Sequence, residues 1–168
     1  MRESNLSNMT CSVARSMGIF GDAWTLLIIR ELFMGSRRFD DFRAYTGMAP
    51  KLLTTRLRKL ESAGIVTRVR YSEHARRFEY RLTEMGIDLY PVLVTITQWG
   101  DKWTKPPLEK APPLQMIHKE CGKPLGPAMT CTGCGKVLGP REVRIVQSEA
   151  LQVERAEMRA KATTSDAV

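Results

Sequence analysis

Apolar positions recur at intervals of three and four from about Ala23 to Met34, where Trp24, Leu27, Ile28 and Leu32 mark one side of a helix. Gly21-Asp22 supplies a turn and an N-cap ahead of it, and Gly35 ends it. A shorter segment, Arg38 to Tyr45, sets Phe39, Phe42 and Tyr45 on one helical face before Thr46 to Ala49 breaks the pattern. Pro50 suits the first position of a new helix, because it has no N–H to leave unpaired there. From Pro50 to about Ser62, Leu53, Leu57 and Leu60 fall together on one face, at roughly 100° per residue. Lys51, Thr55, Arg58, Lys59 and Ser62 gather opposite, with Thr54 and Arg56 on the flanks. Gly64 then stops the helix where a left-handed residue is wanted. Two helices joined by a short Gly-containing turn, the second basic and rich in hydroxyls on its exposed face, predict a helix-turn-helix.

The period then changes from 3.6 to 2. In Ile65 to Tyr71, Ile65, Thr67, Val69 and Tyr71 share one face, while Arg68 and Arg70 point the other way. In Arg77 to Leu82, Phe78, Tyr80 and Leu82 alternate with Arg77, Glu79 and Arg81. Two such strands around Ser72-Glu73-His74-Ala75-Arg76 predict a β-hairpin with a basic tip, and a hairpin placed after this helix pair makes a winged helix. Thr83 is positioned to cap another helix, with the stripe Met85, Leu89, Val92 or Leu93, Ile96, Trp99 or Gly100, and Trp103. Pro91 lies inside that stripe and should kink the helix or split it. Such a helix either covers its own domain or meets a second copy, and two Trp near its end favour the homodimer.

Composition narrows the class. The chain has 168 residues, is 43% hydrophobic and 26% charged, and so holds one cored domain plus something smaller. Its longest apolar stretch, Ala23 to Ile29, is far short of a membrane span. The first residues carry no apolar signal segment, so a cytoplasmic protein is expected. The net charge is +8, and Lys51 to Arg81 holds nine basic groups against three acidic ones. That concentration points to a polyanion such as nucleic acid; a solvated basic surface is the plainer reading.

Several segments together resemble one family. Gly21 to Leu32 (GDAWTLLIIREL), Arg38 to Phe42 (RFDDF), Leu53 to Arg68 (LTTRLRKLESAGIVTR) and Glu79 to Gly86 (EYRLTEMG) stand in the order found in HxlR-type transcriptional regulators, winged-helix proteins similar to the MarR group. The resemblance covers roughly residues 11–104. It implies a homodimeric bacterial transcription factor on a near-palindromic operator in double-stranded DNA. Residues matching its recognition helix are Lys51, Thr54, Thr55, Arg56, Arg58 and Lys59, and those matching its wing are His74, Arg76 and Arg77. Thr55 and Arg58 are expected to face bases, and Arg76 and Arg77 to hold the backbone or minor groove. Ala49 stands where the family often has a capping Ser, which implies a weaker helix start. Ala23 stands where it often has Lys, a change expected to be neutral.

Beyond the proline-rich stretch Pro106 to Pro113, three of the four cysteines cluster with one of the two histidines. His118-x-x-Cys121-Gly122 is followed, with nine residues between Cys121 and Cys131, by Cys131-x-x-Cys134-Gly135. Each half has the form of a zinc knuckle, and a Cys3His set closes a tetrahedral structural site. A stretch so poor in core-forming residues favours a metal as its organiser. A redox pair, Cys131 with Cys134, is the rival. Cys11 is left over. Its place near the start matches a cysteine that senses electrophiles or oxidants in several family members, and Arg15 one turn on would favour its thiolate. Val13, Met17 and Ile19 suggest instead a short helix in which Cys11 is a small buried hydrophobe.

The fold expected is therefore α+β and mainly helical: a winged helix-turn-helix domain over 1–105, a proline linker and zinc-ribbon-like module over 106–148, and a polar tail over 149–168, either frayed helix or disordered. The function expected is a sequence-specific DNA-binding regulator, a repressor acting as a homodimer. An RNA-binding or protein-interaction module is the alternative. A zinc hydrolase fits poorly, because the ligand set is closed and no Ser-His-Asp set or HExxH is present. The fold leaves room for a small-molecule effector, for which no residue pattern stands out.

Overall fold

The structure, a computed structural model, describes residue 6 and residues 11–70, 78–104, 112–126, 129–147 and 149–165. Its elements fall into two compact units, Met1–Gly86 with Lys161–Val168, and Ile87–Ala160.

In the first unit α1 (Ser12–Phe20) leads into α2 (Ala23–Phe33), and Asp22 caps α2 as the sequence predicts. Asp22 Oδ1 accepts from the Thr25 N–H at 3.0 Å, and Oδ2 accepts from the Thr25 hydroxyl at 2.6 Å. The buried row of α2 is Thr25, Ile28, Ile29 and Leu32, the i, i+3, i+4, i+7 set of one face. This corrects the row expected from periodicity, since Trp24 is 37% exposed and Leu27 only half-buried. Apolar side chains occupy most of this helix's circumference, so spacing alone does not choose the row. The two hydrogen bonds from Thr25 to Asp22 satisfy its N–H and hydroxyl, so Thr25 can be buried in the Ile28, Ile29 and Leu32 row. Glu31 is buried as well, held by the Arg30 guanidinium at 2.7 Å and the Ser36 hydroxyl at 3.2 Å.

The helix pair is α3 (Phe39–Thr46) and α4 (Pro50–Ser62). Phe42, Met48, Leu53, Leu57 and Leu60 join Ile28, Ile29 and Leu32 in one core. Pro50 sits at the first turn of α4, and Ala49 offers it no side-chain cap. Beyond α4 the Ile65 N–H returns to Leu60 O at 3.0 Å, which satisfies a carbonyl at the helix end.

The wing pairs β1 (Val66–Arg70) with β2 (Phe78–Leu82), antiparallel, in register from Val66 with Leu82 to Arg70 with Phe78. Its buried strand residue is Val66, whereas Thr67 and Val69 are exposed, so β1 departs from the apolar face that alternation marks; on β2 Phe78, Tyr80 and Leu82 are half-buried on the marked face, opposite Arg70, Arg68 and Val66. Only the base of the hairpin reaches the core; farther out Arg68 packs over the Phe78 ring, 4.4 Å from its centroid. A further pairing was not visible in the sequence. Arg38 bridges Glu79, and the Tyr80 N–H donates to Arg37 O at 2.8 Å, so the chain before α3 forms a third edge of the wing. Phe42 and Tyr80 meet edge to face, centroids 6.0 Å apart.

Thr83 caps α5 (Glu84–Ile87), its Oγ1 accepting from the Gly86 N–H at 3.2 Å and donating to Gly64 O at 2.6 Å. The helix stripe is split, as Pro91 requires. In the second unit α6 (Tyr90–Trp103) restarts with Pro91 in its first turn. Tyr90 and Val94 are buried, while Val92, Ile96, Trp99 and Trp103 form an exposed apolar row at spacings of four, three and four. There β3 (Leu114–His118) pairs antiparallel with β4 (Val143–Gln147), His118 opposite Val143. Of the two readings of the tail, helix prevails as α7 (Glu149–Ser165).

Candidate nucleic-acid interface and metal centre

On α4 the side opposite the buried leucines presents Lys51, Thr55, Arg58 and Ser62, all exposed, at i, i+4, i+7 and i+11. That row is a straight stripe along one helix face, the shape that enters a major groove. Thr54 and Lys59 are half-buried on its flanks. Thr55 donates its hydroxyl to Lys51 O at 2.9 Å, and Thr54 does the same to Pro50 O at 2.8 Å. The Thr55 proton is thus taken up within the helix, and what it offers outward is an oxygen acceptor and a methyl group. Such a pair suits the amino group of adenine or cytosine, or the methyl of thymine.

Arg56 differs from the expectation. Its Nε lies 3.3 Å from Asp22 Oδ1, and the two side chains are only 21% and 16% exposed. It ties the recognition helix to the cap of α2 instead of facing outward. Sequence pattern put it on a flank, and a partner so distant along the chain left no local signal.

Of the wing residues, His74, Arg76 and Arg77 lie outside the described residues. At the wing's base Arg68 lies 3.7 Å from Glu61, and Arg81 3.2 Å from Glu79. Arg37, which sequence reading passed over, donates to Leu32 O at 2.6 Å and Ser36 O at 2.9 Å. Burial and the nearby Arg81 hold its guanidinium below the ordinary arginine range.

The structure brings His118, Cys121, Cys131 and Cys134 together, their ligand atoms all within 4.8 Å of one another. His118 Nδ1 is 3.1 Å from Cys121 Sγ and 3.8 Å from Cys134 Sγ; Cys121 and Cys131 sulphurs are 3.0 Å apart. A tetrahedral zinc with Zn–S bonds of about 2.3 Å spaces its sulphurs by about 3.8 Å; the four donors converge on one point, and the closer Cys121–Cys131 pair would spread to admit the ion. Both knuckles are built alike. The His118 N–H donates to Lys123 O at 2.9 Å and the Gly122 N–H to His118 O at 2.9 Å; Cys131 with Lys136 and Gly135 with Cys131 repeat this at 2.8 and 2.9 Å. Gly122 and Gly135 adopt φ of 69° and 70°, the left-handed region that each knuckle's reversal needs. The hydrogen bond shared by the Cys121 and Cys131 sulphurs, with the backbone N–H groups of Cys134 and Gly133, lowers the Cys131 thiol to about 6. The same bond raises the Cys121 thiol. Three sulphurs and one imidazole nitrogen, with no fifth donor among the described residues, can organise an ion but leave no position for substrate.

Cys11 is exposed at the start of α1, not buried as the hydrophobic reading had it. Arg15 turns its guanidinium to the Ser12 hydroxyl at 3.0 Å.

Among known proteins, residues 19–107 match the HxlR-like helix-turn-helix family. An uncharacterized HTH-type transcriptional regulator of Mycobacterium tuberculosis, Rv3095, is 42% identical over 132 residues, covering 79% of this chain and 82% of that one. The alignment is longer than the family match, so the likeness extends past the winged domain. YdeP of Bacillus subtilis, another HTH-type regulator, is 35% identical over 94 residues, 55% of this chain and 73% of that one. The crystal structure of PA1607, a candidate transcription factor, superposes with a TM-score of 0.67 at 33% identity, covering 86% of this chain and 99% of that chain. The redox regulator HypR in its oxidized form superposes with a TM-score of 0.52 at 32% identity, over 55% of this chain and 96% of its own. These relatives are regulators rather than enzymes, and the chain belongs to the HxlR-like helix-turn-helix family of DNA-binding transcriptional regulators.

Proposed function

We propose that this regulator binds a near-palindromic operator in double-stranded DNA as a homodimer in the cytoplasm and represses transcription by occupying it. The observation that carries the reading is the exposed stripe of α4, Lys51, Thr55, Arg58 and Ser62, backed by a buried leucine row. In this reading α4 lies in the major groove. Arg58 reads a guanine edge, Thr55 a neighbouring base, and Lys51, Thr54 and Lys59 hold the flanks. His74, Arg76 and Arg77 of the wing grip the backbone or minor groove alongside. The exposed row Val92, Ile96, Trp99 and Trp103 on α6 supports the dimer, because four large apolar side chains in heptad-like spacing call for a partner helix. No single described helix is long and apolar enough to cross a membrane.

Zinc is the ion we assign to His118, Cys121, Cys131 and Cys134, supported by their donor set, mutual distances and repeated knuckle geometry. Bound there, zinc would fix the fold of the ribbon-like module. Exposed Cys11, together with the likeness to HypR, supports a response to an oxidant or electrophile.

Gel shifts with Arg58→Ala on operator and random duplexes test the base-reading role. We expect operator binding to weaken by about 1–3 kcal/mol with random binding little changed. Equal loss on both duplexes removes Arg58 from sequence reading.

A further inference from the structure

We infer that the Cys3His centre is itself an oxidation site, in which a peroxide joins Cys121 to Cys131, expels the metal and releases α6 from the knuckle. The inference rests on the zinc reading above and is independent of Cys11. Its first support is placement: the Cys121 and Cys131 sulphurs lie 3.0 Å apart. Cys121 is exposed and Cys131 is 2% exposed, which assigns the two different roles in one reaction. The accessible Cys121 sulphur, a thiolate while it ligates the metal, attacks one peroxide oxygen; the O–O bond breaks, and the departing hydroxide takes a proton and leaves as water. The sheltered Cys131 thiolate then attacks the Cys121 sulfenic sulphur. An S–S bond forms, the S–O bond breaks, and the second hydroxide leaves as water with a second proton. Two thiolates, one hydrogen peroxide and two protons give one disulfide and two waters. Each sulphur loses one electron, and the peroxide gains two.

Zinc then keeps only His118 and Cys134, half the donors that a closed structural site requires. The consequence reaches α6 within the same unit. Gln98 Nε2 donates to Gly126 O at 2.8 Å, and Gly126 belongs to the loop between the two knuckles, its N–H donating to Thr130 O at 2.6 Å. In sequence that loop is bounded by Cys121 on one side and Cys131 on the other. Gln98 lies beside Trp99 on the helix that carries the exposed apolar row. Loss of the metal therefore loosens the anchor of α6.

The test uses full-length protein carrying Cys11→Ser, so that Cys11 does not report and only the three cysteines of the cluster remain. Bound zinc is measured first, then hydrogen peroxide is added in the presence of a chromogenic zinc chelator. Disulfides are mapped by mass spectrometry, and amide hydrogen exchange is followed over α6. We expect one zinc released for each Cys121–Cys131 bond, at least tenfold faster exchange around Gln98, and reversal by dithiothreitol with added zinc. Zinc retained while peroxide oxidises Cys11 in the wild-type chain would overturn the inference, as would release with the bond at Cys134. Release without a change in α6 exchange removes the link through Gln98. Protein that purifies without zinc fails the underlying metal reading, an outcome visible before any oxidant is added.

Discussion

Asp22 holds two things at once. It caps α2 through Thr25, and it faces the Arg56 guanidinium of the recognition helix. Asp22→Ala should lose the cap, worth about 1 kcal/mol, and leave a mostly buried cation without its carboxylate, for a total of roughly 2–4 kcal/mol. Urea unfolding measures it, and a loss under about 0.5 kcal/mol, the range of an ordinary surface substitution, contradicts the pairing. Arg56→Ala should likewise lower stability while leaving the operator-to-random ratio in place, which separates it from Arg58→Ala. The cap was legible because Asp22 and Thr25 are three residues apart. The Arg56 contact was not, because only the packing of α2 against α4 creates it. Tyr90 offers a second residue-scale check. Burial pushes its phenol up to about 12. A folded value above the unfolded one means stability that is full below the unfolded pKa, near 10, and lost as pH rises through about 12. Absorbance titration at alkaline pH should show one tyrosine ionising last, a step absent from Tyr90→Phe; four tyrosines titrating together contradict the burial.

At the scale of elements, the helix-turn-helix was read almost to the residue, because Pro50, the leucine row and Gly64 are local signals that agree with one another. The hairpin was legible, and so was the Phe78, Tyr80 and Leu82 face of β2, but on β1 the alternating set Thr67 and Val69 is exposed. Alternation decides which residues share a face, and it takes the core to decide which face is buried; here only Val66 at the hairpin base arrives there. The third edge at Arg37 and Arg38 left no periodic trace, since a single bridge is too short to carry one. Where α5 crosses the base of the wing, Gly86 lies so near Ile65 O that an added Cβ would collide with that carbonyl and press on Leu82. Gly86→Ala should therefore cost about 1–3 kcal/mol and lower the melting temperature of the winged unit, as read by thermal unfolding. A neutral substitution contradicts the close approach.

For the whole molecule, the winged unit carries a hydrophobic core of its own, while the ribbon-like module has a short two-stranded sheet and a cluster of four side chains able to ligate a metal. Spacing made this cluster legible before any fold was known, because a knuckle is encoded within four residues and its glycine. What spacing could not show is the attachment of α6 to the loop between the knuckles through Gln98. One zinc per chain is expected by elemental analysis. A strong chelator should unfold the ribbon module and broaden its amide spectrum, while the winged unit keeps its own. Unchanged spectra after complete metal removal contradict a structural role.

The central claim is that the α4 stripe reads DNA sequence, and fluorescence anisotropy over a salt series tests it most directly. The full-length protein is titrated into the duplex from upstream of its own gene and into a random duplex of equal length. A sequence-reading α4 gives a gap of roughly 4 kcal/mol or more between the two, with affinity falling steeply as salt rises. Equal and weak binding to both duplexes would contradict it, and would leave Lys51, Thr55 and Arg58 as a basic surface that attracts polyanions without reading them.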